Sequence, residues 1–346
     1  MRGEREAADR LVEAFERHGA ARVETDVLQP AGTLLDLYGE DIRARAYVTQ
    51  DPLRGEQMLR PDFTVPVVQA HMAEGAEPAR YTYAGKVFRR QEEDEARASE
   101  YYQVGYEVFD RADPAAADAE VFALIADALE GLPVVPVTGD IGVLMAAVAG
   151  LETTERRRAA LMRHVWRPQR FRALLERFSR PAVARDFAQA QAPLVGLRSE
   201  AEIAERVAWL RADAEAAPIA AEAVAGLDAV ASVRGPAGAA LRRLQDLSRD
   251  MPAIRDAVAR LEARMTALEA RGVDAGALAF EGSYGRTSME YYDGFVFGFL
   301  AEGLPPVATG GRYDALTRVL GQGREIPAVG GVIRPGLVSD LREARA

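Results

Sequence analysis

The chain has 346 residues, 49% of them hydrophobic, which is enough to bury the core of one large domain or two ordinary ones. Its formal net charge of −10 and its pI of about 5.1 argue against general nucleic-acid binding, because phosphate contacts need a basic surface. The absence of cysteine excludes disulfides and thiolate metal sites, and no apolar run approaches the roughly 18 residues of a membrane span.

The first predicted elements alternate helices with short hairpins. The amino-terminal sequence MRGEREAADR lacks the apolar segment of a secretion signal, which favours a cytoplasmic location. An amphipathic helix over 4–18 ends at Gly19, and a strand over 23–30 ends at Pro30. A hairpin pairs 45–50 with 57–60, and a helix with Pro66 in its first turn follows it. A second hairpin then pairs 80–88 with 100–109, and it is followed by a helix over 114–130 and a strand over 134–142.

The composition changes between 146 and 274. The chain there becomes rich in Ala, Arg, Glu and Leu and carries little strand signal. Apolar residues recur at helical spacing towards the end of this stretch, at Ile254, Val258, Leu261, Met265 and Leu268. We therefore predict a helical insertion or subdomain over 146–274.

Strand signals return in the last part of the chain, at 278–282 and 293–300. Three phenylalanines alternate in the second strand and share one sheet face: Phe295, Phe297 and Phe299. Strands that pair as hairpins and flank a helical block are typical of an α+β fold with a mostly antiparallel sheet. The sheet-bearing core would comprise 1–145 and 275–346.

The first motif that suggests chemistry is LRPDFT, at 59–64. Asp62 and Thr64 place a carboxylate and a hydroxyl close together at the end of a strand. A carboxylate in that position can hold an ammonium group by a charge-assisted hydrogen bond. The same two side chains are also suited to cap the first turn of a helix, so both interpretations stay open.

The second motif is the hairpin KVFRRQ…YYQVGYEVF. Gln103, Gly105 and Glu107 alternate along its second strand, so they share one sheet face. Arg89 lies at the end of the first strand, where an arginine can bind phosphate or carboxylate through two hydrogen bonds. An ordinary polar hairpin would explain the alternation, but not a glutamine and a glutamate placed among aromatic residues.

Three further motifs are SMEYYDGFVF, ATGGRYDAL and PAVGGVIRPGLV. In a strand, Tyr291 and Tyr292 would point to opposite faces, so only one of them would line a given pocket. The glycine pair before Arg312 permits a close backbone approach or a tight turn. A metal site is not expected, because the three histidines are far apart in sequence: His18, His71 and His164. No cofactor is expected either, and the sequence contains neither a phosphate-binding P-loop nor a GxSxG nucleophile motif.

The order of these motifs resembles the catalytic core of the histidyl-tRNA synthetases, a branch of the class II aminoacyl-tRNA synthetases. Pro30 stands in the place of the proline at that family's dimer interface. The resemblance implies a dimer in which a mostly antiparallel sheet, flanked by helices, carries the amino acid and ATP on one face.

The resemblance also implies roles for individual residues. The histidine-binding set that it indicates is Asp62, Thr64, Gln103, Glu107, Tyr291 and Tyr292. Asp62 and Gln103 match residues that contact the α-amino group, and Glu107 and Tyr292 match residues on the imidazole side.

Arginines match the nucleotide side of the same family site. Arg89 corresponds to the arginine that binds the ATP α-phosphate, and Arg97 corresponds to a loop arginine near the nucleotide. Arg312, in the GGRYD segment, is a third candidate for an anion contact.

Two departures from the family pattern bear on catalysis. In the family, an arginine stands in for a metal during adenylation, and this chain has Thr287 at the aligned position. Arg286 lies one residue earlier, and in an extended segment its side chain would point to the opposite face. The motif 3 arginine aligns with Leu337, and Arg334 lies three residues before it, where a helix can bring it to the same face. Losing one such charge partner costs roughly 10²–10³ in rate, so losing both would leave little adenylation.

This profile is similar to the regulatory subunits of ATP phosphoribosyltransferase, a synthetase-like family without an anticodon domain. The residues after Gly330 are too few for such a domain, which takes at least about 50 residues. The resemblance implies a non-catalytic chain that activates a short catalytic subunit in the first step of histidine biosynthesis. It implies feedback by L-histidine and a homodimer within a hetero-octamer, with no tRNA and no membrane among the partners.

Two alternatives stay open at this stage. One is a truncated, synthetase-like ligase that still adenylates an amino acid and uses Arg286 and Arg334 in shifted positions. The other is a dimeric scaffold whose pocket has lost its ligand.

Overall fold

A large mixed sheet organises the chain in a computed structural model, which describes residues 2–38, 42–91, 98–181, 196, 198–286 and 291–345. The strands are β1 (Ala21–Arg22), β2 (Leu28–Pro30), β3 (Val48–Asp51), β4 (Gly55–Leu59), β5 (Ala79–Phe88), β6 (Glu100–Phe109), β7 (Val135–Asp140), β8 (Arg234–Pro236), β9 (Ala279–Glu281), β10 (Phe295–Leu300), β11 (Ala308–Arg312) and β12 (Ala328–Ile333).

The helices cover the sheet and fill the middle of the chain. They are α1 (Arg2–Arg17), α2 (Ala31–Tyr38), α3 (Ile42–Arg45), α4 (Thr64–Glu74), α5 (Pro114–Ala128), α6 (Ile141–Ala149), α7 (Glu155–Arg163), α8 (Pro168–Phe178), α9 (Glu200–Glu215), α10 (Ala221–Ala231), α11 (Ala237–Asp250), α12 (Arg255–Ala270), α13 (Asp314–Leu320) and α14 (Pro335–Glu343). None of these described helices is long and apolar enough to cross a membrane.

The sheet connectivity confirms the predicted α+β class. Within the described residues, nine strands form one sheet in the order β1-β5-β6-β12-β11-β10-β7-β9-β8, and three form a smaller sheet in the order β2-β4-β3. Neighbouring strands are antiparallel except for β1 with β5 and β7 with β9. The two predicted hairpins are β3–β4 and β5–β6.

Two hydrophobic clusters lie on opposite faces of the large sheet. Phe122 of α5 packs against three rings of β10, as predicted from their alternation: Phe295, Phe297 and Phe299. On the other face, aromatic residues of β5, of β6 and of the segments that precede α4, β10 and α13 pack together: Phe63, Tyr83, Phe109, Tyr292 and Tyr313. Strand β6 contributes alternate residues to both clusters, and its second face carries Gln103 and Glu107.

The predicted strand over 23–30 is wrong over 23–27, since only its last three residues form a strand, β2. Strand β1 pairs with β5 of the large sheet, whereas β2 pairs with β4 of the smaller sheet. The chain crosses between the two sheets over 23–27, so one continuous strand cannot form there.

The described part of 146–274 contains α7 to α12, and it also contributes a strand. Strand β8 pairs with β9 at the edge of the large sheet. Leu261 and Leu268 of α12 belong to the same hydrophobic cluster as Phe295 of β10. The block is therefore joined to the sheet through one continuous core.

Candidate functional site

A cavity of about 970 Å³ lies on the second face of the sheet, between α4, β6 and the start of α14. One group of its lining residues is polar or aromatic: Asp62, Thr64, Gln103, Tyr291 and Tyr292. A second group is cationic: Arg45, Arg89, Arg90 and Arg334. The cavity therefore combines an acceptor-rich part with a positively charged part.

Alternation along β6 places Gln103 and Glu107 on the cavity side of the sheet. Gly105 lies between them on the same face, opposite Tyr83 of β5. A Cβ at Gly105 would overlap the Tyr83 ring, so this glycine makes room for the tyrosine. The hydroxyl of Tyr83 consequently reaches Glu107 on the neighbouring strand.

Glu107 is held by three hydroxyl groups from different elements. The Tyr83 and Tyr313 hydroxyls donate to its two carboxylate oxygens at 2.7 and 2.6 Å, and the Thr64 hydroxyl donates at 3.2 Å. Glu107 is only 1% exposed and lies behind the cavity floor, which Thr64 lines. Thr64 therefore connects the cavity to the buried carboxylate.

Burial determines the protonation of this group. Desolvation raises the pKa of Glu107 to about 7, although the three hydroxyl donors favour the ionised form and oppose the shift. Burial and the nearby Glu107 also raise the pKa values of Tyr83 and Tyr313 well above the usual range, so both remain proton donors. Near neutral pH the site holds a carboxyl group that a cationic ligand would ionise.

The stability of the protein should fall as the pH rises from about 5 to about 8. The pKa of Glu107 is about 7 in the folded chain and 4.5 for an ordinary glutamate, so the folded state binds the proton more tightly. The stabilisation is fully present below the lower value and is lost as the pH passes through the higher one, a loss on the order of 3 kcal/mol. Asp293 acts in the same direction, because burial and Asp314 raise its pKa to about 7.

Urea unfolding of the unaltered chain and of Glu107→Gln at both pH values measures this contribution. The variant should lose the Glu107 part of the pH dependence. The raised pKa values of Asp293 and Asp314 would still act in the same direction, and the lowered pKa values of His71 and His164 in the opposite one. Identical pH profiles for the two proteins would contradict the assignment of the raised pKa to Glu107.

Gly330 provides the space that the Glu107 carboxylate occupies. It lies opposite Glu107 on β12, and a Cβ at this position would overlap the carboxylate. Gly330→Ala should therefore destabilise the fold by about 1–3 kcal/mol, the usual cost of overpacking a core. Gly32→Ala is the matched control, since a Cβ at Gly32 meets no atom within 4 Å. Equal unfolding midpoints for the two variants would refute this account of Gly330.

Gln103 contributes an unsatisfied acceptor to the cavity. The residue is 2% exposed, and its Oε1 has no hydrogen-bond partner among the described residues. Asp62, which lies nearby in the lining, accepts a hydrogen bond from the backbone N–H of Val65 at 3.3 Å. Asp62 thus contacts the first turn of α4, as the capping interpretation expected, and also faces the cavity. Buried acceptors of this kind require a donor, which a ligand can supply.

Tyr291 and Tyr292 both line the cavity, contrary to the expectation that only one of them would. That expectation assumed a strand, but β10 begins only at Phe295. Outside a strand the two rings lie side by side, with centroids 4.7 Å apart.

The arginines implied for the nucleotide side do not all come together. Arg89 lines the cavity, and its Nε donates to the carbonyl oxygen of Pro61 at 2.8 Å. Arg97 and Thr287 lie outside the described residues. Arg312 is placed elsewhere: it is buried and forms ion pairs with Asp118 at 2.7 Å and Asp314 at 3.0 Å.

The two shifted arginines also separate. Arg334 lines the cavity, with its guanidinium 5.0 Å from the centre of the Tyr101 ring. Arg286 is absent from the described lining; its Nε donates to the carbonyl oxygen of Val165 at 2.8 Å. Leu337 lines the cavity at the position that aligns with the motif 3 arginine.

Sequence reasoning missed Tyr83 and Tyr313, which hold Glu107. Tyr83 alternates with Tyr81 and Gly85 on β5, a pattern that core packing explains equally well. Tyr313 lies in the GGRYD motif, but sequence reasoning selected the adjacent Arg312 because of its charge. Among the described residues, no group of three or more acidic or histidine side chains is arranged to hold a metal ion.

The fold is that of the histidyl-tRNA synthetases, with the core of the class II synthetases. A solved structure from Bacillus halodurans, described as an ATP phosphoribosyltransferase regulatory subunit/histidyl-tRNA synthetase, matches with a TM-score of 0.71 and 21% identity. The match covers 98% of this chain and 79% of that one. At this identity the comparison shows the fold.

Sequence comparisons show the family. The family model described as Histidyl-tRNA synthetase matches residues 1–335. An ATP phosphoribosyltransferase regulatory subunit from Rhizobium meliloti is 34% identical over 360 residues, 92% of each chain, and one from Mesorhizobium japonicum is 30% identical over 368 residues, 97% of each. The chain belongs to the histidyl-tRNA synthetase family, in the group of the ATP phosphoribosyltransferase regulatory subunits.

Proposed function

We propose that the chain is the regulatory subunit of an ATP phosphoribosyltransferase, which carries out the first step of histidine biosynthesis. In this role it activates a short catalytic subunit, which holds the phosphoribosyl-transfer site, and it mediates feedback inhibition by L-histidine in the cytoplasm. The full-length similarity to curated regulatory subunits supports the assignment. The observation that carries it is the buried Glu107 behind an acceptor-rich cavity.

Histidine fits this cavity through its two nitrogen-bearing ends. Its α-ammonium group needs acceptors, and Asp62 and the Oε1 of Gln103 supply them. Its imidazole ring needs an acceptor deeper in the site, and Thr64 and Glu107 supply a hydroxyl and a carboxylate there. Histidine can shift the assembly only if it binds one arrangement of the complex more tightly than another.

The residues that line the cavity also support the proposal that the chain does not adenylate an amino acid. Leu337 presents an apolar side chain where the synthetase pattern has an arginine. Arg286 is bound to the carbonyl oxygen of Val165 instead of lining the described cavity. Without these two charges, the negative charge that develops during phosphoryl chemistry lacks its usual stabilisation.

The second candidate function is that of a truncated ligase that adenylates an amino acid. The presence of Arg89 and Arg334 in the cavity lining favours this ligase function, because both could bind the phosphates of ATP. Histidine-dependent exchange between ATP and pyrophosphate distinguishes the two functions. We expect no exchange above background, and exchange at synthetase rates would establish the ligase.

Assembly is the second half of the proposal. We expect a homodimer within a hetero-octamer, with the smaller sheet as the contact between copies. Large apolar side chains in and beside β2 and β3 are 39–43% exposed: Val27, Leu28, Tyr47 and Val48. Exposed apolar patches of this kind mark protein interfaces.

Sedimentation of the chain, of its cognate short catalytic subunit and of their mixture tests the assembly. A dimer alone and a larger complex in the mixture would support the proposal. A complex that forms while the chain shows no histidine binding would favour the scaffold without a ligand. The absence of any complex would overturn the regulatory assignment.

A further inference from the structure

The segment from 155 to 180 has a charge opposite to that of the whole chain. It contains nine arginines against two glutamates, whereas the chain carries a net charge of −10. These residues form α7, α8 and the turn between them. Six arginines of the segment are exposed: Arg156, Arg163, Arg170, Arg172, Arg177 and Arg180. We call this surface the α7–α8 basic face.

Much of this charge is not neutralised within the described chain. Arg163, Arg170, Arg172 and Arg180 form no ion pair with a described residue. Burial of the ring lowers the pKa of His164. The nearby charges of Arg167, Arg170 and Arg163 lower it further. Repulsion among cations is relieved when carboxylates or phosphates bind beside them.

A buried cation beneath the face reinforces this point. Arg286 is 7% exposed, and its Nη2 has no hydrogen-bond partner among the described residues. Burial lowers the pKa of Arg286, and the charge of the nearby Arg172 lowers it further. The buried guanidinium therefore adds positive charge directly beneath the exposed arginines.

The turn between the two helices also contacts the segment that carries the cavity tyrosines. The indole Nε1 of Trp166 donates to the carbonyl oxygen of Tyr292 at 3.2 Å, and the carbonyl oxygen of Val165 accepts from Arg286. Tyr292 lines the cavity. A partner bound at this turn would therefore lie directly behind the wall of the proposed histidine pocket.

We infer that the α7–α8 basic face is the docking surface for a carboxylate-rich face of the catalytic partner. The inference rests on the proposed function and names the surface involved. The exposed arginines lie along two helices, the longer of which spans roughly 16 Å, and they do not line the described cavity. An extended surface fits a macromolecule better than a small anion. The net charge of −10 disfavours nucleic acid as that macromolecule.

Charge reversal tests the inference against a matched control. Arg163→Glu/Arg170→Glu changes the basic face, and Arg242→Glu/Arg243→Glu makes the same charge change at exposed residues of α11. Affinity for the cognate catalytic subunit should fall about tenfold or more in the first variant and stay within about twofold in the second. The affinity of the unaltered chain should also fall between about 50 and 300 mM NaCl.

Equal affinities of the two variants would overturn the docking surface and leave the proposed function standing, provided that the unaltered chain binds and activates the catalytic subunit. If the unaltered chain does neither, the docking inference and the proposed function both fail. Binding of total tRNA that only the Arg163/Arg170 variant loses, with unchanged affinity for the catalytic subunit, would reassign the face to nucleic acid.

Discussion

Replacing Glu107 by Gln should weaken the binding of histidine by about 10- to 150-fold, which corresponds to the 1.5–3 kcal/mol of a hydrogen bond to a charged group. The folded structure should survive, because the amide oxygen still accepts from Tyr83 and Thr64. The amide N–H can donate to the Tyr313 hydroxyl, which accepts as well as donates. Calorimetric titration of histidine into each protein measures the loss.

The matched control is the same substitution at a second buried glutamate. Glu120 lies on the other face of the sheet and is bound by Arg80 at 2.6 Å and by the Tyr106 hydroxyl at 2.6 Å. Glu120→Gln should lower stability but leave the affinity for histidine unchanged within about twofold. Unchanged affinity in Glu107→Gln would remove this residue from the effector pocket.

The largest loss of stability is expected from Arg264→Met. Arg264 is 3% exposed and joins α12 to Asp118 of α5 at 2.9 Å and to Asp140, the last residue of β7, at 2.7 Å. Its removal leaves Asp140 without its ion-pair partner and Asp118 with Arg312 as the remaining cation. Breaking a buried ion pair from one side typically costs about 3–5 kcal/mol.

Arg260→Met is the control for this prediction, since Arg260 lies one turn earlier on α12 and is exposed. Its free energy of unfolding in urea should stay within about 0.5 kcal/mol of the unaltered chain. An Arg264→Met variant as stable as this control would show that the buried ion pairs do not hold the helical block to the sheet.

Elements with local patterns were predictable from the sequence. The hairpins, α5 and the alternating phenylalanines of β10 follow from periodicity and turn residues within short windows. The alternation of Gln103 and Glu107 was predictable for the same reason, because residues two apart on a strand share a face.

Features that depend on distant residues were not predictable. Tyr313 lies 206 positions from Glu107, yet its hydroxyl is one of the three that bind the carboxylate. Arg312 shares a motif with Tyr313 but pairs with Asp118 on another element. The side-by-side arrangement of Tyr291 and Tyr292 depends on where β10 begins, and element boundaries are the least reliable part of a sequence prediction.

The central claim is that this chain activates a catalytic subunit and transmits the effect of histidine to it. The most direct measurement is the ATP phosphoribosyltransferase activity of the cognate short catalytic subunit, with and without this chain, across a titration of histidine. We predict activity that rises when the chain is added and falls as histidine increases. Activity that is the same with and without the chain at every histidine concentration would contradict the claim.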